Sequence, residues 1–209
     1  LTGGRGRIRL CAMTPRNSIL MPVLGLALLF GGAAEGAAVV KKKKKTKGAT
    51  PMAMTLTSPS FAHNAKIPSR HTCDGEDLSP AFAWSGAPKG AKSFAIINDD
   101  PDASSGAWVH WILWNIPGDT TSLGENLPRS ETLPNGAVQG LCWGVDDGDR
   151  VGYWGPCPPS GTHRYFFKLY ALDTVLKLPA RTLKAGLEAA MKGHILSEAT
   201  LIGLYSRSR

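Results

Sequence analysis

From residue 54 onward, short runs of apolar and aromatic residues alternate with clusters of Gly, Pro, Asn, Asp and Ser, at 54–57, 81–84, 93–98, 108–116, 137–141, 163–172 and 198–205. Runs of that length bounded by turn residues predict β-strands. Their number and spacing predict a mainly β protein, an antiparallel β-sandwich whose long loops are free to carry function. One segment reads as helix. Within 180–192, Leu183, Leu187, Ala190 and Met191 recur on one helical face, and Gly193 stands where a helix would end.

Strand periodicity gives the runs sides. Residues two apart share a face, so His163 and Tyr165 point the same way as Phe167, Leu169 and Ala171, while Arg164 and Lys168 face oppositely. A histidine and a tyrosine hydroxyl are thereby expected at the polar mouth of an apolar face. The same rule puts His110 with Trp108, Ile112 and Trp114.

Charge alters this picture at one end only. The formal net charge is +8, but residues 1–48 hold ten Lys/Arg against Glu35 alone, and the remaining residues hold 14 basic and 15 acidic side chains. The globular part is close to neutral, which removes the electrostatic basis for nucleic-acid binding. In the extension, a 12-residue apolar run at 19–30 follows Arg16 and precedes small residues at 31–38. This order predicts a signal peptide within 1–38, cleaved near Ala37 or Ala38, and hence export to the periplasm or the extracellular space. The stretch 19–40 carries only Glu35 and is long enough to span a bilayer if left uncut, so an N-terminal membrane anchor is the alternative. Residues 39–51 read as a lysine-rich disordered linker, followed by one domain over 52–209.

Two segments concentrate the candidate chemistry. One is Asp99-Asp100-Pro101-Asp102-Ala103 followed by Trp108-Val109-His110-Trp111; the other is Gly155-Pro156-Cys157-Pro158-Pro159-Ser160-Gly161-Thr162-His163-Arg164-Tyr165. Each joins a stiff, turn-rich stretch to a histidine at the start of an aromatic strand, and together they read as two walls of one small-ligand site. Taken alone, Asp100 and Asp102 around Pro101 also fit an Asx-type turn in which the carboxylates cap local N–H groups. Arg164 is expected to be structural, paired with an acid such as Asp99 so as to tie the two motif loops together. Trp143 and Trp154 are candidates for the cavity wall, or for ordinary packing.

These motifs, with Thr72-Cys73-Asp74-Gly75-Glu76-Asp77-Leu78-Ser79-Pro80 and Lys92-Ser93-Phe94-Ala95-Ile96-Ile97, resemble the signature regions of the phosphatidylethanolamine-binding protein family, the Raf-kinase-inhibitor-like proteins, in their bacterial and archaeal branch. The likeness runs from about residue 54 to 205. It implies an all-β core with a few peripheral helices and a small cavity for phosphorylated or carboxylate ligands, with no cofactor. It also implies modulation of a protein partner such as a kinase or protease, and a possible homodimer. Carried over position by position, the ligand-binding residues are Asp100, Asp102, His110, Gly155, Pro156, His163 and Tyr165. The imidazoles of His110 and His163, when protonated, are expected to donate to an anion. Cys73 and Cys157 lie in motifs that should converge, which makes them the preferred disulfide and leaves Cys142 as a thiol. Two departures stand out: Ser104 replaces a proline common in relatives, and the long C-terminal helix of animal members has no counterpart.

The GxSxG, HExxH, P-loop and GxGxxG signatures are absent. Two other readings use the same residues: a metal site built from Asp100, Asp102, His110 and His163, and a weak hydrolase in which the His/Asp pair activates water.

Overall fold

The computed structural model describes residues 53–104, 106–142 and 150–207; the expected signal peptide, the linker and Trp143 lie outside them. Strands β1 (Thr55–Thr57), β3 (Phe82–Ser85) and β6 (Ser122–Leu123) form a small antiparallel sheet in the order β1-β3-β6. Strands β2 (Ala65–Lys66), β4 (Ser93–Asp100), β5 (Trp108–Pro117), β7 (Val138–Gln139), β8 (His163–Leu172) and β9 (Ile195–Tyr205) form the large one, ordered β2-β9-β8-β4-β5-β7. All its pairings are antiparallel except that of the two-residue β2 with β9.

The alternation seen in the sequence builds the space between the sheets. Phe82 of β3 lies 5.0 Å from Phe167 of β8 and 6.4 Å from Trp111 of β5, and Trp84 meets Phe94 edge-on at 5.3 Å. The opposite face of the large sheet presents Ala95, Ile97, Val109, Ile112 and Trp114, and Leu187 and Met191 of helix α1 (Lys184–Met191) cover it. Both faces of β4 are therefore buried, and its run is apolar without alternation.

Helix α1 begins four residues later than the expected 180. Arg181 sits in the left-handed region at φ 66°. Its N–H donates to the Gln139 carbonyl, and the Thr182 carbonyl accepts from Leu141 N–H. The backbone over 181–182 is thus spent on the 139–141 segment and cannot start a helical turn. A single turn of 3-10 helix at Ser69–His71 is the other helical element among the described residues.

Strand β5 departs from strict alternation twice. Against β4, Asn98 pairs with Trp111 and Asp99 with Val109, so His110 is an extra residue; a second irregularity lies between Ile96/Leu113 and Phe94/Ile116. Each β-bulge flips the side-chain faces that follow. His110 consequently shares the sandwich side with Trp108, as expected, whereas Ile112 and Trp114 lie on the helix side.

Candidate functional site

Strand β4 ends at Asp100 because Pro101 has no N–H to continue the ladder. Asp100 Oδ1 accepts the Asp102 N–H at 2.8 Å, closing the Asx turn. Its other oxygen, Oδ2, lies 2.7 Å from Nδ1 of His163, the first residue of β8. The acid therefore caps its own turn, as the Asx reading expected, and orients an imidazole as well. Tyr165, on the same face of β8, meets His110 edge-to-face at 5.1 Å.

The bulge at β5 aims His110 toward this group. Its Nδ1 is 2.7 Å from the Trp154 carbonyl, and its own carbonyl accepts the Trp154 N–H at 2.9 Å. A carbonyl can only accept, so Nδ1 carries the proton and Nε2 is the nitrogen left for a ligand. Burial holds the His110 pKa below the ordinary histidine value, against the Trp154 carbonyl and Asp100, which pull it up. The sequence suggested a protonated donor here; burial disfavours that form, and in the neutral imidazole with Nδ1 bonded to the Trp154 carbonyl Nε2 is an acceptor.

Gly155 donates its N–H to Asp77 Oδ1 at 2.7 Å, and a Cβ at this position would fall 2.3 Å from the His71 carbonyl oxygen. No other residue fits there. The adjoining Pro156 carbonyl accepts the Cys73 N–H at 3.1 Å, and Cys73 and Cys157 form a disulfide with Cα atoms 5.4 Å apart, the pairing preferred from the motifs.

These walls enclose a cavity of about 410 Å³. Asp100, His110, Gly155, His163 and Tyr165 line it; Asp102 and Pro156 do not. Asp102 accepts the backbone N–H and two guanidinium donors of Arg164, at 2.9, 2.9 and 2.7 Å. Those bonds pull its pKa down to about 2, Arg164 outweighing the small cost of burial. Arg164 does tie the motif loops, but through Asp102 rather than Asp99. Asp99 lies one residue along β4, on the helix face, where Lys168 and Lys184 take it.

The Tyr165 hydroxyl is buried and makes no hydrogen bond of ordinary geometry to a protein atom, although the Asp100 carboxylate and the Cys157 backbone lie close enough to act on it. Burial, then the charge and hydrogen bonding of Asp100, drives its pKa far up, so it is a neutral donor on a residue that lines the cavity. Asp77, Trp108, Arg150, Trp154 and the disulfide also line the space. Of these, Asp77 sat inside a quoted motif but gave no sign of its role, because its partner Gly155 is 78 residues away. Arg150 had no motif at all. The four residues of the metal reading do not converge: Asp102 is turned to Arg164, and among the described residues no group of three or more His, Cys, Asp or Glu side chains is placed to hold a metal ion.

Compared with known proteins, residues 57–206 match the family described as phosphatidylethanolamine-binding protein. A UPF0098 protein of Methanothermobacter thermautotrophicus is 54% identical over 154 residues, covering 74% of this chain and 99% of that protein. A UPF0098 protein of Aquifex aeolicus is 45% identical over 157 residues, covering 74% and 89%. Among solved structures, a phosphatidylethanolamine-binding protein homolog of Chlamydia trachomatis superposes with a TM-score of 0.67 at 38% identity, over 75% of this chain and 99% of the other. Escherichia coli YbcL, described as a member of the mammalian family, does so with a TM-score of 0.67 at 33% identity, over 74% and 99%.

Proposed function

The chain belongs to the phosphatidylethanolamine-binding protein family, and from that membership we propose that it is a non-catalytic binding protein whose cavity takes a small phosphorylated or carboxylate ligand. The observation that carries the reading is a cavity lined by His110, Tyr165 and a His163 imidazole backed by the Asp100 carboxylate. With Nδ1 held by Asp100, His163 can carry a proton on both nitrogens and donate from Nε2. His110 Nε2 complements these donors by accepting from a ligand's own O–H or N–H. The same membership supports a role in modulating a protein partner, a kinase or a protease, and a homodimer. Export is the proposed location, supported by a disulfide that persists in oxidising compartments.

Calorimetric titration with O-phosphorylethanolamine and acetate tests the reading. His163→Ala removes a charge-assisted hydrogen bond worth roughly 1.5–3 kcal/mol. Affinity is expected to fall about tenfold or more, and the melting temperature to fall as well because the buried Asp100 carboxylate loses its partner. Equal affinity in both proteins would reduce the cavity to a structural feature. The Asp100–His163 pair is also the geometry that can activate water, so phosphate release is followed in the same samples. Release that disappears in His163→Ala would replace binding by hydrolysis.

A further inference from the structure

We propose that Arg129, which does not line the main cavity, is the positioning residue that fixes the wall over 153–155 and through it the tautomer that His110 presents to a ligand. The affinity part of this inference rests on the binding reading above; the tautomer part does not.

Every residue of that wall is held by Arg129 or by the acid paired with it. Arg129 Nε donates to the Tyr153 carbonyl at 2.8 Å. Its guanidinium carbon lies 3.8 Å from the centre of the Trp154 ring. Its Nη2 donates to the Asp77 carbonyl at 2.8 Å and to Asp77 Oδ2, while Asp77 Oδ1 accepts the Gly155 N–H at 2.7 Å. Gly152, which leads into the wall at φ 86°, would bring a Cβ to 3.1 Å from Arg129 Cα. The guanidinium fork thus fixes the residues on either side of Trp154 and, with Arg150 at 4.1 Å from the same ring, the ring itself, and so sets where the Trp154 carbonyl points. That carbonyl receives the His110 Nδ1 proton at 2.7 Å.

Stability alone does not account for the arrangement. The side chains of Arg129 and Asp77 are 34% and 21% exposed, and ion pairs open to solvent contribute little to folding. What they do contribute is a fixed angle: a planar fork can hold a carbonyl, a ring and a carboxylate in one relative geometry, which an ammonium cannot. If the wall rotates, the Trp154 carbonyl leaves Nδ1, the proton is free to move to Nε2, and His110 changes from acceptor to donor at the cavity.

The test uses the full chain labelled with 15N at histidine. Long-range proton–nitrogen spectra of the ligand-free protein at pH 7.5 are expected to show His110 as one Nδ1–H tautomer in wild type and as a mixture in Arg129→Gln. Affinity for O-phosphorylethanolamine is expected to fall about tenfold in Arg129→Gln, the equivalent of one ordinary hydrogen bond. Arg129→Lys keeps a cation near Trp154 and Asp77 but has no fork for the Tyr153 carbonyl. It is expected to be intermediate in both readouts, and it decides the matter if Arg129→Gln does not fold. A wild-type tautomer in a folded variant would overturn the proposal, whatever happens to affinity. If wild type binds neither O-phosphorylethanolamine nor inorganic phosphate, the binding reading falls, and the ligand-free spectra still decide the role of Arg129.

Discussion

Asp100 and Asp102 stand on either side of Pro101, and their surroundings divide the labour between them. Asp100 is almost wholly buried, faces the cavity and holds His163, whereas Asp102 lies at the rim and holds Arg164. Replacing Asp102 with Ala is therefore expected to leave ligand affinity within about twofold and to cost roughly 1 kcal/mol or less of stability, the usual worth of a partly exposed pair. The sign of its pH dependence follows from the direction of the shift. Folding favours the Asp102 carboxylate, so its contribution is complete above the unfolded value near 4 and is lost as pH falls toward about 2. Wild type and Asp102→Ala should accordingly differ in thermal melts at neutral pH and converge as pH falls from about 4 to 2. A variant that loses ligand affinity instead would place Asp102 in the binding site, as the family resemblance suggested and the cavity lining does not.

Strands β8 and β5 show which part of the site the sequence could convey. Strand β8 pairs with β4 without interruption, so the rule of two held along it, and His163, Tyr165 and Phe167 share the expected face. Strand β5 has the same aromatic character but two bulges, and nothing local in Val109-His110-Trp111 signals an extra residue. A bulge is set by which partner residues pair across the ladder, which is long-range information. The helix start was hidden for the same reason, since Arg181 and Thr182 are claimed by Gln139 and Leu141. At the second irregularity Asn115 adopts φ 58°, its Nδ2 donates to the Leu176 carbonyl, and its Oδ1 accepts the Leu176 N–H. The side chain thereby mimics a paired strand residue and ties β5 to the segment after β8. Asn115→Gly keeps the backbone permission and loses the two bonds; Asn115→Ala loses both. Chemical denaturation is expected to rank stability as wild type, then Gly, then Ala, with the last two separated by roughly 1 kcal/mol. Equal stability of Gly and Ala would mean that the left-handed conformation carries no cost in this strand.

At the scale of the whole molecule, the cavity exists because two distant stretches, 71–78 and 153–159, are brought together at one end of the sandwich. Three hydrogen bonds join them at 153–156: Tyr153 Oη to the His71 carbonyl, Gly155 N–H to Asp77, and Cys73 N–H to the Pro156 carbonyl. Beyond Pro156 the tie is the Cys73–Cys157 bridge, which closes a loop of sequence separation 84 and stands exposed at the cavity's rim. The one free thiol among the described residues does not threaten it. Cys142 is buried, and burial pushes its pKa up to about 12, so the thiolate that would attack a disulfide is scarcely formed. Closing a loop of this size stabilises a fold by about 2–5 kcal/mol. Reduction is accordingly expected to lower the melting temperature by roughly 5–15 °C. It should also weaken ligand binding, because Pro158 and Pro159 line the cavity on the segment that loses its anchor. An unchanged melting temperature after complete reduction would show that the three hydrogen bonds suffice. Counting thiols in the denatured, unreduced protein taken from its own cell extends the test to location. One thiol, Cys142, means an oxidised domain without the segment that carries Cys11; two mean an oxidised chain that keeps that segment. Three or more mean that the bridge has not formed in the cell, and the proposal of export fails with it.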